Sequence, residues 1–258
     1  MLIGFDRFSE VMRNYREHFV VIGGTACEAA LENTGITRPH VTKDIDIVII
    51  MERLVPDFIT QLWHFFMEGE YKASRKTNVS DQSVYALYRF EQSARTDFPA
   101  KIEILTRQAE YVFGANETRV EPIIETESTY SMSAIIMDDD VYQFTIDHWE
   151  EYQGVRMASP TALVCLKARA YLNLLRDRAS GIHVNSSDIK KHRRDVFLLL
   201  ATGKVEKSVV PLSVYTTIQD FVAAMKELPI SDLAKSLDVA EAAMEEYLEL
   251  LSTTFSTE

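Results

Sequence analysis

HFVVIGGTACEAALENTGITRPHVTKDIDIVII, residues 18–50, has the pattern of a buried strand, a glycine turn, a helix and a second strand. The first apolar run ends at Gly23 and Gly24. The segment that follows is rich in helix formers, and Thr25 lies where a capping residue is expected. "DIDIVII" then restores the alternation of a strand. This order of elements predicts a mixed α/β unit in which a strand leads through glycines directly into a helix.

The rest of the chain extends this unit and then changes character. Apolar periodicity predicts helices at 5–17 and 55–68, strands at 83–90 and 101–105, and a hairpin over 132–146 that turns at Asp138 to Asp140. After Pro160 the period is helical, with helices at 160–178, 188–201, 211–227 and 239–252. We therefore expect an α+β fold with a small mixed-sheet domain over residues 1–155 and a helical bundle over residues 156–258.

Composition narrows the class of protein. At 258 residues and 47% hydrophobic content the chain can bury a substantial core. Cys27 and Cys165 lie in apolar helical patterns, which favours buried thiols in a reducing compartment over a disulfide. No apolar run reaches the length of a signal peptide or of the roughly 18 residues that span a bilayer, so we expect a cytoplasmic protein without a membrane partner. A net charge of −12 argues against a surface that wraps nucleic acid, although local basic patches remain compatible with it.

Two aspartates of the second strand carry the first chemical signal. Side chains two residues apart on a strand share a face, so Asp44 and Asp46 project together. Glu103, flanked by isoleucines in "KIEIL", repeats the arrangement and joins them if its strand lies alongside. Three such carboxylates suit one or two Mg²⁺ or Mn²⁺ ions that bridge nucleotide phosphates. An acidic pair at a strand end is otherwise surface decoration, but here it lies in a strongly apolar strand after a Gly-Gly turn.

The glycine turn carries the second signal. Gly23 and Gly24 permit a close approach of the backbone to an anion, and the helix that follows adds the partial positive charge of its N-terminus. A triphosphate fits such a turn, although the segment is neither a Walker A loop nor a dinucleotide fingerprint. Taken alone, Gly23 and Gly24 are a tight turn and Thr25 is a helix cap; in combination with the aspartates they predict a phosphate site.

Basic residues of the helical part are the remaining candidates. Lys167 falls on an apolar helix stripe, where its ammonium must reach solvent, pair with Asp195 or meet a phosphate. The run KKHRR, residues 190–194, surrounds much of its helix, so a solvated basic face is the default interpretation. In an acidic protein this run, Lys191 included, is also a local attractor for NTP or RNA phosphates. The six histidines have no metal-ligand spacing and predict no zinc site.

The motifs "GGTA", "TKDIDIVI" and "KIEIL" resemble the DNA polymerase beta-like nucleotidyltransferase superfamily, and most closely its AbiEii/AbiGii-type members, which are toxins of type IV toxin–antitoxin systems. The similarity covers roughly residues 18–200 and extends to "ALVCLKARAYL" and "KKHRRDVFLLL". It implies that Lys167 and Asp195 are active-site residues, that the active site lies in a cleft between the two domains, that tRNA is the acceptor and that a cognate antitoxin is a partner.

These observations lead to one expectation and two rivals. The expected activity is metal-dependent transfer of an NMP group from an NTP to a hydroxyl, with Asp44, Asp46 and Glu103 as metal ligands. Gly23, Gly24, Thr25, Lys167 and Lys191 then bind the nucleotide. The first rival is a non-catalytic module of the same fold that binds nucleotides or a partner. The second is a nucleotidyltransferase that modifies small molecules of the antibiotic type, which the acidic composition mildly favours.

Overall fold

The computed structural model describes residues 4–39, 42–73, 89–91, 93–107 and 135–257. Over these residues the chain has a mixed α/β fold and divides into two compact units. Unit 1 comprises Met1–Thr25 and His40–Met157, and unit 2 comprises Ala26–Pro39 and Ala158–Glu258. The segment after the glycine turn therefore belongs with the carboxy-terminal helices, which its position in the sequence does not indicate.

Unit 1 is built on one mixed sheet. Its elements, in chain order, are helix α1 (Phe5–Met12), a 3₁₀ turn (Arg13–His18), strand β1 (Phe19–Ile22), the start of helix α2 (Gly23–Leu31), β2 (Asp44–Ile49), a second 3₁₀ turn (Met51–Arg53), α3 (Pro56–Glu68), β3 (Lys72–Ala73), β4 (Arg89–Glu91), β5 (Lys101–Arg107), β6 (Ile135–Met137), α4 (Asp139–Asp147), β7 (Trp149–Tyr152) and β8 (Val155–Ala158). The strand order is β3-β4-β5-β2-β1-β8-β7, and β6 pairs with the end of β5.

The order of the central strands determines where the polar side chains meet. β1 runs antiparallel to β2, while β2 and β5 are parallel neighbours. Alternate residues of β2 and β5, including Ile45, Ile47, Ile102 and Ile104, are buried. Helices α1 and α3 add an aromatic core, in which Phe8 lies edge-to-face against Phe65 at 5.5 Å between ring centroids. One face of the strands is thus apolar, and the polar residues between the isoleucines share the other.

Unit 2 is helical. It contains the remainder of α2 and the helices α5 (Pro160–Ala179), α6 (Ser186–Ala201), α7 (Leu212–Lys226), α8 (Ile230–Leu237) and α9 (Glu241–Thr254). Two short strands, β9 (Ser208–Val209) and β10 (Phe255–Ser256), pair in parallel. Pro160 occupies the first turn of α5 and Ser159 caps it by accepting a hydrogen bond from the Ala162 amide. Among the described residues, no helix has both the length and the apolar content needed to cross a bilayer.

Two local predictions need correction and one lies partly outside the described residues. The acidic run 138–140 is not a hairpin turn: Asp138 caps α4 and accepts a hydrogen bond from the Val141 amide at 3.4 Å. The predicted helix 5–17 is α only to Met12 and continues as a 3₁₀ turn. Of the strand predicted at 83–90, only Arg89 and Phe90 lie among the described residues, in β4.

Candidate functional site

The acidic residues of unit 1 meet on one face of the sheet. In the parallel register of β2 and β5, Asp44 lies opposite Lys101 and Asp46 lies opposite Glu103. Because alternate residues of a strand share a face, Asp44, Asp46 and Glu103 project to the same side. The two aspartates are half-buried, and the Glu103 side chain is 15% exposed. The structure therefore brings together the three carboxylates that the sequence suggested.

Gly23 lies directly against this acidic face. Ile22 pairs with Asp46 across β1 and β2, so the residue that follows it begins α2 beside the aspartate. The φ angle of Gly23 is +74°, a conformation that L side chains rarely adopt. A Cβ at this position would lie 1.9 Å from Asp46 Oδ2. The strand-to-helix turn and the carboxylate thus pack so closely that only glycine fits between them. Gly24 is the second residue of the same helix.

Thr25 has a different role from the helix cap that the sequence suggested. Helix α2 begins at Gly23, and the buried Thr25 hydroxyl donates a hydrogen bond to the Asp44 carbonyl at 2.6 Å. This bond ties the first turn of α2 to the start of β2. The single proton of the Thr25 hydroxyl is thus donated within the fold. A phosphate contact by Thr25 stays a prediction.

Two cations lie within the acidic face, and neither was identified from the sequence. Lys101 Nζ is 3.2 Å from Asp44 Oδ2 and 3.3 Å from Glu103 Oε2. Arg89 of β4 pairs with Glu103 through Nη2 and lies 3.6 Å from Glu91 through Nε. The signal for Lys101 was available, since it stands two residues before Glu103 and must share its face. Arg89 offered no comparable signal, because the residues of β4 do not indicate that this strand pairs with β5.

Electrostatics of the acidic face follow from these pairs. Burial alone would favour neutral Glu103, but the positive charges of Lys101 and Arg89 lower the pKa of Glu103 below its ordinary value. Burial likewise opposes the charge on Lys101, but Glu103, Asp44 and Asp46 outweigh it and raise the pKa of the ammonium. The face is therefore a network of charged groups in which Asp44 and Glu103 already have cationic partners.

In unit 2, Lys167 and Asp195 form a buried ion pair. Lys167 Nζ of α5 lies 3.1 Å from Asp195 Oδ2 of α6, and the exposed fractions of the two side chains are 6% and 2%. Arg38 donates two hydrogen bonds to the same carboxylate, one from Nε to Asp195 Oδ1 and one from Nη2 to Asp195 Oδ2, each at 2.9 Å. Arg38 also reaches Glu28 Oε1 at 3.2 Å. Of the interpretations open for Lys167, the structure realises the pairing with Asp195.

Burial and the two cations shift the pKa values of Asp195 and of the nearby Cys27. Burial would raise the pKa of Asp195, but Lys167 and Arg38 lower it below the ordinary value for a carboxyl. Burial raises the pKa of the neighbouring Cys27 thiol to about 11, which keeps it protonated at neutral pH. Cys27 and Cys165 are both buried free thiols, as expected. Arg38 and Glu28 were missed from the sequence, because a loop arginine ten residues after its glutamate follows no helical or strand period.

The basic run of α6 does not form one surface. Lys190 is exposed, and Lys191 is half-buried with its Nζ 3.7 Å from Asp188 Oδ1. Arg194 donates to the Ser236 carbonyl at 3.2 Å, and His192 and Arg193 are half-buried. The run therefore divides between solvent and packing within unit 2, and a nucleotide contact by Lys191 stays a prediction.

Among the described residues, no group of three or more histidine, cysteine, aspartate or glutamate side chains is arranged to hold a metal ion by itself. Asp44 and Asp46 are the carboxylates that lie beside the glycine turn. Comparisons with protein-family models, with curated proteins and with solved structures find no match for this chain.

Proposed function

We propose that the chain is a metal-dependent nucleotidyltransferase that moves an NMP group from an NTP to an acceptor hydroxyl and releases pyrophosphate. One observation carries the proposal. The register of β2 and β5 collects Asp44, Asp46 and Glu103 on one face, and the Gly23 turn into α2 lies against Asp46. Carboxylates beside a glycine-opened helix N-terminus provide ligands for a divalent ion next to a position that favours phosphate.

The donor set fits Mg²⁺ or Mn²⁺ as a partner of the nucleotide. Mg²⁺ prefers oxygen ligands and is usually held by one or two carboxylates together with substrate phosphates and water. Asp44, whose side chain is 41% exposed, and Asp46 would provide these two carboxylates. Glu103 is engaged by Arg89 and Lys101, so it supports the site in this arrangement instead of acting as a third ligand. A bound divalent ion polarises the phosphoryl group and activates the attacking oxygen.

The other residues of the face would position the reacting groups. Gly23 and Gly24 begin α2, whose first amide groups lie where the helix dipole favours an anion. The Thr25 bond to the Asp44 carbonyl holds that helix start at a fixed distance from the first aspartate. Glu103 lies opposite Asp46 in the register of β2 and β5. The first turn of α2 and the carboxylates of β2 would thereby hold the phosphates and the metal ion side by side.

The acceptor and partners follow from the family resemblance. A toxin of the AbiEii/AbiGii type implies tRNA as the acceptor and a cognate antitoxin as the partner. A small-molecule hydroxyl is the alternative acceptor, and the net charge of −12 favours it because a tRNA backbone would be repelled by most of the surface. Lys167 has a buried structural partner in Asp195, so a role for either residue in the reaction rests on the resemblance alone.

A second candidate function is nucleotide binding without transfer. The observation that favours it is the pairing of Glu103 with both Arg89 and Lys101, which neutralises the carboxylate that would otherwise assist the attacking hydroxyl. A protein with two remaining metal ligands can bind an NTP and release it unchanged. The two candidates differ in a single measurable step, the release of pyrophosphate.

The test compares the wild type with Asp46→Asn and with Asp57→Asn, a control at an exposed carboxylate of α3. Each protein is incubated with labelled NTPs, Mg²⁺ or Mn²⁺, and either total RNA or amino-alcohol acceptors. Label transfer and pyrophosphate release are followed. Removing a metal contact where charge develops should slow transfer by about a thousandfold or more, whereas Asp57→Asn should leave it unchanged. Wild-type protein that binds NTP but transfers nothing to any acceptor, itself included, contradicts the enzyme and supports the binding module.

A further inference from the structure

Lys101 lies on the acidic face and pairs with Asp44, one of the two proposed metal ligands. It lies opposite Asp44 in the strand register, and its Nζ lies between Asp44 Oδ2 and Glu103 Oε2, at 3.2 and 3.3 Å. Its side chain is 24% exposed, so the ammonium is partly removed from water. The same Asp44 oxygen cannot bind this ammonium and a divalent ion at full strength.

The balance of charge explains why the ammonium stays there. Around Lys101, the carboxylates of Asp44, Asp46, Glu91 and Glu103 and the cation of Arg89 lie on the same face of three adjacent strands. Without Lys101, Asp44 would lose this ion pair, and Glu103 would keep its pair with Arg89. Like charges at such distances repel strongly when water is partly excluded, so a lysine in their midst stabilises the strand pairing. The raised pKa of Lys101 agrees with this arrangement.

We propose that Lys101 is a resident counterion that makes binding of the divalent metal conditional on the triphosphate. This inference rests on the proposed function. A metal ion that enters alone must displace the ammonium from Asp44 and leave it close to a second positive charge. When an NTP enters with the metal, the displaced ammonium gains the phosphate oxygens as new partners, while Arg89 continues to hold Glu103. The nucleotide thus restores the charge balance that the metal alone would disturb.

A counterion differs from a merely structural lysine in one measurable quantity, the coupling between metal binding and nucleotide binding. This coupling can be measured by titrating either ligand. If nucleotide favours metal, then metal favours nucleotide by the same factor, because the two affinities are thermodynamically linked. A lysine that only stabilises the sheet would change the melting temperature when replaced, but it would leave this factor unaltered. The informative quantity is therefore the ratio of Mn²⁺ affinities with and without nucleotide.

The experiment measures Mn²⁺ binding by electron paramagnetic resonance, with and without α,β-methylene analogues of ATP, GTP, CTP and UTP, which cannot release pyrophosphate. Four proteins are compared: wild type, Lys101→Met, Lys101→Arg and Lys43→Met. Lys43 is an exposed lysine immediately before β2, so its variant removes the same charge from the same end of the sheet. Lys101→Gln, which keeps a polar side chain, replaces the Met variant if that protein fails to fold.

In the wild type and in Lys101→Arg, an analogue should tighten Mn²⁺ binding by about tenfold or more, within the range usual for coupled sites. Lys101→Met should bind Mn²⁺ alone about tenfold more tightly than the wild type and lose most of the coupling. Lys43→Met should resemble the wild type. Equal Mn²⁺ affinity of the wild type with and without analogue overturns the inference, as does unchanged coupling in Lys101→Met, while the proposed function survives both results. A wild type that binds no Mn²⁺ even with every analogue overturns the proposed function and the inference with it.

Discussion

Gly23 is the residue on which the geometry of the acidic face depends. Its φ of +74° alone disfavours any side chain, by about 1–2 kcal/mol for an L-residue in the left-handed region. Its contact with Asp46 adds a second constraint, since an added Cβ would also approach Asp46 Cγ at 2.8 Å and Cβ at 3.1 Å. A methyl group there would push the carboxylate away from its present position. The glycine thus fixes Asp46 as well as the turn.

Gly23→Ala and Gly35→Ala separate these two constraints. Gly35 has a similar φ of +76°, but an added Cβ would meet nothing within 4 Å. Both variants should lose about 1–2 kcal/mol of unfolding free energy in urea from backbone strain, and Gly23→Ala should lose more because its methyl group also displaces Asp46. Only Gly23→Ala should also lose metal-dependent binding of the NTP analogues, since it alone displaces Asp46. Equal nucleotide binding by the two variants would show that the position of Asp46 does not matter to the site.

At the scale of elements, the sequence predicts strands and helices better than it predicts their partners. The apolar periods of β2, β5 and α5 are sufficient to predict these elements, because each one alternates or repeats apolar residues over its own length. The hairpin predicted over 132–146 is wrong at its turn, because the acidic run Asp138 to Asp140 begins helix α4. The buried residues Val141, Tyr142, Phe144 and Thr145 have helical spacing, and they indicate an Asp-capped helix.

The same holds for the candidate site: the sequence predicts residues that share a strand better than residues that meet across strands. Strand alternation identified the shared face of Asp44 and Asp46, and the β5 pattern added Glu103. Lys101 stands two residues before Glu103 on the same strand and could have been identified. Arg89 and Arg38 were missed because an ion pair between distant segments depends on which elements are neighbours. That information is in the packing of the whole unit and not in any one period. The assignment of Ala26–Pro39 to unit 2 was missed for the same reason.

Asp195 joins three segments of unit 2, namely the loop that carries Arg38, helix α5 through Lys167 and helix α6 itself. Asp195→Ala leaves two buried cations without their carboxylate, and breaking a buried pair in this way costs about 3–5 kcal/mol. Lys167→Ala should cost less, because Arg38 still holds Asp195 through two hydrogen bonds.

Urea unfolding monitored by helical circular dichroism compares these variants with Lys191→Ala, whose partly exposed pair with Asp188 should contribute less than about 1 kcal/mol. A titration with NTP and Mn²⁺ on each folded variant then distinguishes the roles of Lys167. Loss of nucleotide binding without loss of stability in Lys167→Ala would contradict the structural assignment and support the phosphate contact that the family resemblance implies.

For the molecule as a whole, His192 makes the free energy of unfolding depend on pH in the mildly acidic range. Burial, together with Lys167 of α5 and Lys191 of α6, lowers the pKa of His192 to about 3, against the partial opposition of Asp195 and Asp188. Its buried Nδ1 has no hydrogen-bond partner in the described part of the chain. In the unfolded chain this imidazole takes up a proton near pH 6.5, whereas in the folded chain it stays neutral down to about pH 3. Between these values the unfolded state binds the extra proton.

The free energy of unfolding should therefore fall as the pH falls below about 6.5, by up to about 1.4 kcal/mol per pH unit from this residue. The lowered pKa of Asp195 acts in a separate window, because its contribution is lost only as the pH falls through the acidic range of carboxyl groups. Urea unfolding between about pH 7.5 and pH 5 thus isolates the histidine. His192→Gln should lose about 2 kcal/mol less than the wild type over this range. His183→Gln, at an exposed position of unit 2, should follow the wild type. If His192→Gln and the wild type lose stability in parallel, the imidazole is already protonated in the folded protein, and the buried cluster around Lys167 and Asp195 must accommodate a third cation.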